Sequence, residues 1–344
     1  MRRFILFTLL FTACPCLSAY EYETPTIHVD SGILREDIPA RLIELQSICT
    51  YQNPTEQDIS LFYHRVTVPP TLNCYQILID VEADNLDNAT LQAHKNNIDH
   101  FLTFDLSIPA KSSVKQTVRF KILLLPTDYL KANPSIDMLL FKQEDKYTQP
   151  SQFIESNAEP IRKIAQQFEQ QANGNIINQM KLAYEFPSKY LKFIPQDPIG
   201  ALAALESKQG DCTEYSALFI ALCRAQGIPA RHTGVFHIRK KKETFRQPNH
   251  NAAEVFWGRI GWIPIDPNLG LGKYDGEYGF GRTGNSVILL KREGAFVWSN
   301  YLPQSGYDTT KPKPSVKSKM RWTTRILDEG PAKTLIEKYY SAMD

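Results

Sequence analysis

Residues 210–231 read GDCTEYSALFIALCRAQGIPAR, and this stretch decides how the second half of the chain folds. Its apolar residues recur at the spacing of an α-helix, and Gly227 and Pro229 end that helix. Gly210 and Asp211 form its polar start. The pattern places Cys212 in the first turn, where the helix dipole and free backbone amides favour the thiolate, the nucleophilic form of cysteine. The amide of Cys212 would also face an oxyanion formed by attack on a carbonyl carbon.

A cysteine at the start of a helix is weak evidence by itself, and the residues downstream strengthen it. Strands are predicted over residues 231–238, 252–257 and 261–265. His250 precedes the second of these strands, and Asp266 follows the third. If the strands are neighbours in one sheet, His250 and Asp266 meet at strand ends and the start of the helix packs against them. A thiol, an imidazole that moves a proton and a carboxylate that orients the imidazole make up a nucleophilic triad.

This stretch, followed by HNAAEVFWGRIGWIPIDP at residues 250–267, resembles the bacterial transglutaminase-like superfamily. The family pattern joins G-x-C-x-E, on a helix that ends G-I-P-A-R, to H-x-W-x-E and then to G-W-x-P-x-D-P. The resemblance implies an α+β fold with a papain-like core, in which the cysteine-bearing helix packs on an antiparallel sheet. It also implies that Cys212 is the nucleophile, His250 the general base and acid, and Asp266 the orienting carboxylate. Ala252 departs from the pattern, because many members carry an aromatic residue there, and this opens the expected wall of the cleft.

The N-terminal half has a different pattern, with a period of two. Apolar residues alternate with polar ones over 59–68, 76–81, 101–108 and 114–125, and Pro, Asn and Asp separate these runs. This is typical of an all-β sandwich. We predict a signal peptide over 1–19, a β-sandwich domain over 20–150, a transglutaminase-like catalytic domain over 151–300, and a linker with a C-terminal helix over 301–344.

The first residues have the layout of a secretory signal. Arg2 and Arg3 precede an apolar run from Phe4 to Ala13, which is too short to span a bilayer as a mature helix. Export to the periplasm or the medium is therefore expected, without a membrane span. Residues 11–14 also resemble a lipobox, so a lipid anchor at Cys14 is an alternative.

The remaining cysteines do not indicate a disulfide scaffold or a zinc site. Of six cysteines, Cys49, Cys74, Cys212 and Cys223 lie beyond the signal, and no C-x-x-C pair is among them. Cys49 and Cys74 could form one bridge. Cys223 lies among apolar residues at the end of its helix and is expected to be buried and inert.

Several other polar and aromatic residues near these motifs are predicted to be structural. Glu214 and Glu254 are expected to pair with Arg224 or Arg231. His232 and His237 are expected to be packing or surface histidines, Trp257 and Trp262 core aromatics, and residues 239–242 (RKKK) a solvated hairpin tip.

The net charge of +2 gives no reason to expect nucleic acid or an anionic membrane surface as a partner, and no cofactor or metal is expected. The favoured function is that of an exported cysteine enzyme acting on amide bonds of proteins or peptides, as a peptidase, deamidase or transglutaminase. The resemblance implies that many bacterial members are cysteine peptidases, which favours hydrolysis. The alternative is a non-catalytic binding module on the same fold. A glycan-releasing amidase is less favoured, because it usually has a paired-cysteine zinc site. Substrate identity and oligomeric state stay open.

Overall fold

The computed structural model describes residues 31–72, 75–94, 98–132, 146–269, 279–293, 304–307 and 315–340. The predicted signal segment, Cys14 and Cys74 lie outside these ranges, so the suggested lipid anchor and the Cys49–Cys74 bridge stay predictions. The strands are β1 (Ala40–Gln52), β2 (Ile59–Val68), β3 (Gln76–Ala83), β4 (Ala89–Ala93), β5 (His100–Ile108), β6 (Ser113–Leu124), β7 (Lys192–Phe193), β8 (Gln209–Gly210), β9 (Ala230–His237), β10 (Lys242–Phe245), β11 (His250–Phe256), β12 (Trp262–Ile265), β13 (Val287–Arg292), β14 (Gln304–Tyr307) and β15 (Lys317–Gly330). The helices are α1 (Glu159–Gln171), α2 (Ile176–Tyr190), α3 (Ala201–Ser207), α4 (Cys212–Ala225) and α5 (Ala332–Tyr339).

The N-terminal half is all β, as predicted, and forms two facing antiparallel sheets. Five strands pair in the order β10-β15-β1-β6-β3, and four pair in the order β14-β2-β5-β4. The alternating apolar residues of β1, β2, β5 and β6 point inward and form one buried cluster between the sheets. Burial of these side chains stabilises the sandwich by roughly 25 cal/mol for each Å² of apolar surface removed from water.

The five-stranded sheet also contains the end of the chain, which the sequence analysis did not predict. Strand β15 pairs antiparallel with β1 from Lys317 to Gly330, within the segment predicted as a linker and terminal helix. Its inward residues are Met320, Trp322, Thr324 and Ile326, and the charged residues between them obscured this alternation in the sequence. The terminal helix itself is present as α5.

Strand β10 completes the same sheet and corrects the prediction for residues 239–242. Lys242 is not at a free hairpin tip, because β10 pairs antiparallel with β15 from Lys242 to Phe245. The side chain of Phe245 packs against the sandwich core. Residues 239–241 therefore lead into β10, an edge strand of the five-stranded sheet.

The second half is an antiparallel sheet covered by helices, as the predicted α+β class requires. Its strands pair in the order β12-β11-β9-β13, and the three predicted strands are confirmed as β9, β11 and β12. Helix α4 contacts β9 and β11 on one side and α1, α2 and α3 on the others. Almost every side chain of α4 is buried, which is typical of a central helix that is apolar all round.

The two halves share contacts. Phe236 of β9 lies 5.4 Å from Trp322 of β15, measured between ring centroids. The Gln76 side chain accepts a hydrogen bond from the Leu289 amide at 2.9 Å and donates one to the Leu289 carbonyl at 3.0 Å. Strands from both sides of residue 150 share one sheet, so the sheets do not separate cleanly there. The domain boundary near residue 150 therefore stays a proposal.

Candidate active site

The site is built on the first turn of α4, whose start is fixed by a capping box. Asp211 is the N-cap, and its carboxylate accepts a hydrogen bond from the Thr213 amide at 2.8 Å. The Glu214 carboxylate accepts in turn from the Asp211 amide at 3.1 Å. Two of the amides that a helix leaves unpaired are thus satisfied, and Cys212 is the first helical residue.

Glu214 was predicted to pair with an arginine, and that prediction is wrong. Its second carboxylate oxygen accepts from the Ile199 amide at 3.0 Å, so Glu214 ties the loop before α3 to the start of α4. Burial raises the pKa of Glu214, and the two amides offset part of that effect. The side chain lacks solvent exposure and serves as a capping group.

Gly210 shows why the residue two places before Cys212 is a glycine. A Cβ at this position would lie 2.3 Å from the Cβ of Glu214, closer than packed carbon atoms can approach. Any larger residue at 210 would therefore displace Glu214 and with it the first turn of α4. Packing at the start of α4 therefore requires the glycine and the glutamate of the G-x-C-x-E pattern at this spacing.

His250 and Asp266 meet as the strand order predicted. Strands β11 and β12 are antiparallel neighbours, with Ala253 opposite Ile265, so the start of β11 lies beside the end of β12. His250 Nε2 is 2.7 Å from Asp266 Oδ2. Because Nε2 faces the carboxylate, Nδ1 is the ring nitrogen left for Cys212.

The charges around His250 favour its protonated form. Burial by itself would lower the pKa of His250, but the Asp266 carboxylate and the hydrogen-bonding Cys212 side chain outweigh burial and raise the pKa to about 10. Burial likewise acts to raise the pKa of Asp266, and His250 and Asn268 overcome it and hold that pKa below its ordinary value. The histidine and the carboxylate therefore form an ion pair at neutral pH.

Asn268 holds the other oxygen of the Asp266 carboxylate, which the sequence analysis missed. Its backbone amide and its side-chain amide donate to Asp266 Oδ1 at 3.1 Å and 3.0 Å. With Oδ1 occupied, Oδ2 is directed at His250. An Asn two residues after an Asp, a spacing that often forms a local turn, was the available signal.

A second missed contact joins the helix to the sheet. The Asn251 side chain donates to the Thr213 hydroxyl at 2.8 Å, and the Ser216 hydroxyl donates to the Asn251 carbonyl at 3.3 Å. Asn251 follows His250, and Thr213 follows Cys212. The bond between these neighbours fixes how closely the imidazole and the thiol approach each other.

The remaining candidates lie around the site in structural roles. Glu254 forms a buried ion pair with Arg231, with Nε and Oε2 2.7 Å apart, as predicted. Trp262 lies under the Arg231 guanidinium at 3.9 Å from the ring centroid. Arg224 instead donates to the carbonyls of Ala230 and Gln149.

Two further histidines, His232 and His237, lie near His250. Burial, and then the charge of His250, lowers the pKa of His232 to about 3. His237 is closer to the surface, with its ring centroid 6.1 Å from that of His250, and burial also lowers its pKa. Both are therefore neutral at pH 7 and do not compete with His250 for the proton.

The two other described cysteines contrast with Cys212. Cys223 is fully buried, and burial raises its pKa well above the ordinary range. Cys49 is equally buried, and burial raises its pKa to about 12. Cys212 is partly exposed, so a reactant can reach it.

Two exposed apolar residues lie on segments that contact the start of α4. Phe193 of β7 pairs with Gly210 of β8, and its side chain is 58% exposed. Ile199 is also exposed, in the loop that Glu214 anchors.

Within the described ranges, no group of three His, Cys, Asp or Glu side chains is arranged to hold a metal ion. Nor does any helix there have the length and apolar character needed to cross a membrane.

Comparisons with known proteins agree with this architecture. Residues 146–267 match the family model of the transglutaminase-like superfamily. A candidate cysteine protease from Cytophaga hutchinsonii has a similar structure, with a TM-score of 0.54 and 15% sequence identity, over 84% of this chain and 91% of that chain. The periplasmic domain of TgpA from Pseudomonas aeruginosa, bound to ethylmercury, matches 66% of this chain and 90% of that chain with a TM-score of 0.35 and 15% identity. At these identities the first structure shows the fold alone, and no curated protein matches the sequence.

Proposed function

We propose that this chain, whose residues 146–267 match the family model of the transglutaminase-like superfamily, is an exported cysteine enzyme that acts on amide bonds of proteins or peptides. The observation that carries this proposal is that the imidazole of His250 contacts both the Asp266 carboxylate and the Cys212 side chain. His250 binds the Asp266 carboxylate at 2.7 Å and also hydrogen-bonds the side chain of Cys212 at the start of α4. A binding module needs no such arrangement, whereas acyl transfer by a thiol needs all three groups.

In the proposed reaction, Cys212 has given its proton to His250, and its sulfur attacks the carbonyl carbon of an amide and forms a C–S bond. The carbonyl oxygen becomes an oxyanion, which the backbone amide of Cys212 is placed to stabilise. His250 enters this step already protonated, because its pKa is raised to about 10. It gives its proton to the nitrogen of the amide as the C–N bond breaks, and the amine leaves a thioester on Cys212.

The second step releases the acyl group. His250, now neutral, takes a proton from water as the water oxygen attacks the thioester carbon, and the C–S bond breaks. The products are a carboxylic acid and the starting enzyme. An amine in place of water would give a cross-link, and a glutamine side chain as the amide would give deamidation. We favour hydrolysis, and we propose that the exposed Phe193 and Ile199 contact an apolar side chain of the peptide substrate.

The test compares the wild type with Cys212→Ala on a panel of protein substrates by mass spectrometry. Peptide cleavage, deamidation and amine incorporation leave different mass changes, so the assay identifies the reaction as well as detecting it. All changes should vanish in Cys212→Ala and persist in Cys223→Ala, which removes the buried thiol of the same helix. Iodoacetamide supplies a test without a substrate, since we expect Cys212 to react faster than a model thiol at about pH 6. Equal rates there would favour the binding-module alternative.

A further inference from the structure

The outer side of the five-stranded sheet carries a concentration of positive charge. Opposite residues of paired strands point to the same side of a sheet, so the register identifies the rows of side chains. One row consists of Lys319, Thr50 and Lys115, on β15, β1 and β6. Arg321 and Lys317 flank Lys319 on β15 at two residues' distance, about 7 Å along the strand. All four cations are exposed.

The edge strand β10 extends this surface. Lys242 lies opposite Arg325 of β15 and is exposed, while Phe245 packs toward the core. We call Lys115, Lys242, Lys317, Lys319 and Arg321 the basic face. Within the described ranges none of these five side chains has a carboxylate within 4.0 Å.

The cations near the basic face that do have partners mark its limits. Arg325 pairs with Glu44 at 3.2 Å, and Lys121 pairs with Asp80 and Glu82 of β3 at 2.8 Å and 2.7 Å. Positive charge therefore remains uncompensated toward the Lys317 end of β15, and it is neutralised toward β3. In a chain with a net charge of only +2, this segregation is a local feature that the total charge conceals.

We propose that the basic face binds an anionic lipid membrane surface. Cations near such a surface are attracted to its headgroups, and the attraction adds over neighbouring residues. Because the cations project from one side of a sheet, they can contact a flat membrane surface at the same time. The residues between them, Ile48, Thr50, Gln52 and Ser113, include no aromatic ring on which a nucleic acid base could stack.

The basic face is separate from the proposed active site. Cys212, His250 and Asp266 belong to α4 and to the sheet of β9, β11, β12 and β13, so membrane binding needs none of them. The membrane would hold the enzyme by its sandwich half.

The experiment measures co-sedimentation of the purified protein with vesicles at low salt. One set is phosphatidylcholine alone, and the other contains about one third phosphatidylglycerol. The test variant combines Lys317→Gln, Lys319→Gln and Arg321→Gln, which removes three exposed cations that have no ion pair to lose. Each cation contributes about fivefold to binding, so the triple variant should bind anionic vesicles about 100-fold more weakly. Added salt should release the wild type.

The matched control combines Arg162→Gln, Lys163→Gln and Lys181→Gln, which are exposed on α1 and α2. This variant has the same net charge as the test variant and should keep nearly all of its vesicle binding. An equal loss in both variants would overturn the proposal, because net charge alone would then explain the binding. It would also be overturned by wild-type protein that ignores anionic vesicles, or that binds duplex DNA in their place. Cys212→Ala should bind vesicles like the wild type, so this proposal and the proposed function can fail separately.

Discussion

Asp266→Asn is the substitution that tests the electrostatics of the site most directly. It keeps the shape of the side chain and removes the negative charge 2.7 Å from His250 Nε2. In the wild type, Asp266 and Cys212 together overcome burial and raise the pKa of His250 to about 10. Without the carboxylate, burial is opposed only by Cys212, and we expect that pKa to fall toward its ordinary value near 6.5.

The size of the effect follows from the two values. A fall from about 10 to 6.5 corresponds to about 5 kcal/mol as an upper limit, at about 1.4 kcal/mol for each pKa unit. Part of the rise in pKa comes from Cys212 and remains in the variant. The loss in the free energy of proton binding to His250 should therefore be on the order of 3 kcal/mol. The direction is fixed by the sign of the linkage: the wild type keeps its proton at neutral pH and loses it only as the pH rises through about 10, whereas the variant loses it near neutral pH.

Two measurements check this expectation. An NMR titration of the histidine ring protons, assigned with His250→Gln, gives the pKa of His250 directly. The rate of Cys212 alkylation by iodoacetamide at about pH 8 should fall, since His250 of the variant is by then mostly neutral and the Cys212 sulfur lacks its cationic neighbour. Asp128→Asn is the control, because it also removes a carboxylate with little exposure that forms an ion pair, here with Arg282. If Asp266→Asn leaves both the titration and the alkylation rate unchanged, the reasoning about this site is refuted.

Three further substitutions test positioning, packing and pH dependence. Asn268→Ala removes the side-chain bond to Asp266 Oδ1 at 3.0 Å and should slow Cys212 alkylation roughly tenfold while changing the melting temperature little. Glu254→Gln leaves the buried Arg231 charge without its partner and should lower the free energy of unfolding in urea by about 3 to 5 kcal/mol. His64→Gln should reduce the acid sensitivity of the fold: burial lowers the pKa of His64 to about 4, so the wild type loses stability as the pH falls below about 6.5. Between about pH 7 and pH 5 that loss should be on the order of 2 kcal/mol, and the variant should lack it.

Each of these expectations has an outcome that contradicts it. A large drop in melting temperature for Asn268→Ala would mean that Asn268 supports the fold rather than the orientation of Asp266. For Glu254→Gln the comparison is Glu329→Gln, whose exposed pair with Arg41 should contribute at most about 1 kcal/mol. Equal losses in the two glutamate variants would be inconsistent with the burial argument. If His64→Gln keeps the full acid sensitivity, other groups are responsible for it.

The helix of Cys212 and the three strands after it could be predicted because their signals are local. Periodicity, Gly227 and Pro229 delimit α4, and consecutive strands joined by short turns are usually neighbours, which brought His250 to Asp266. The contacts of Asn251 and Asn268 depend on register and on a turn that no periodicity reveals. Strand β15 was missed for another reason: its partner β1 lies almost 280 residues earlier in the chain, as in the pair Gln46 and Thr323.

The long separation of β1 and β15 in the sequence affects how the protein folds. Strand β1 lies between β15 and β6, so one long edge of β1 stays open until residues 317–330 have been made. Bringing such distant residues together is slow, and an unpaired strand edge meanwhile invites association with other chains. Folding of the sandwich is therefore expected to finish only once β15 has been made. A chain that stops near residue 310 would retain Cys212, His250 and Asp266 and still aggregate for lack of its closing strand.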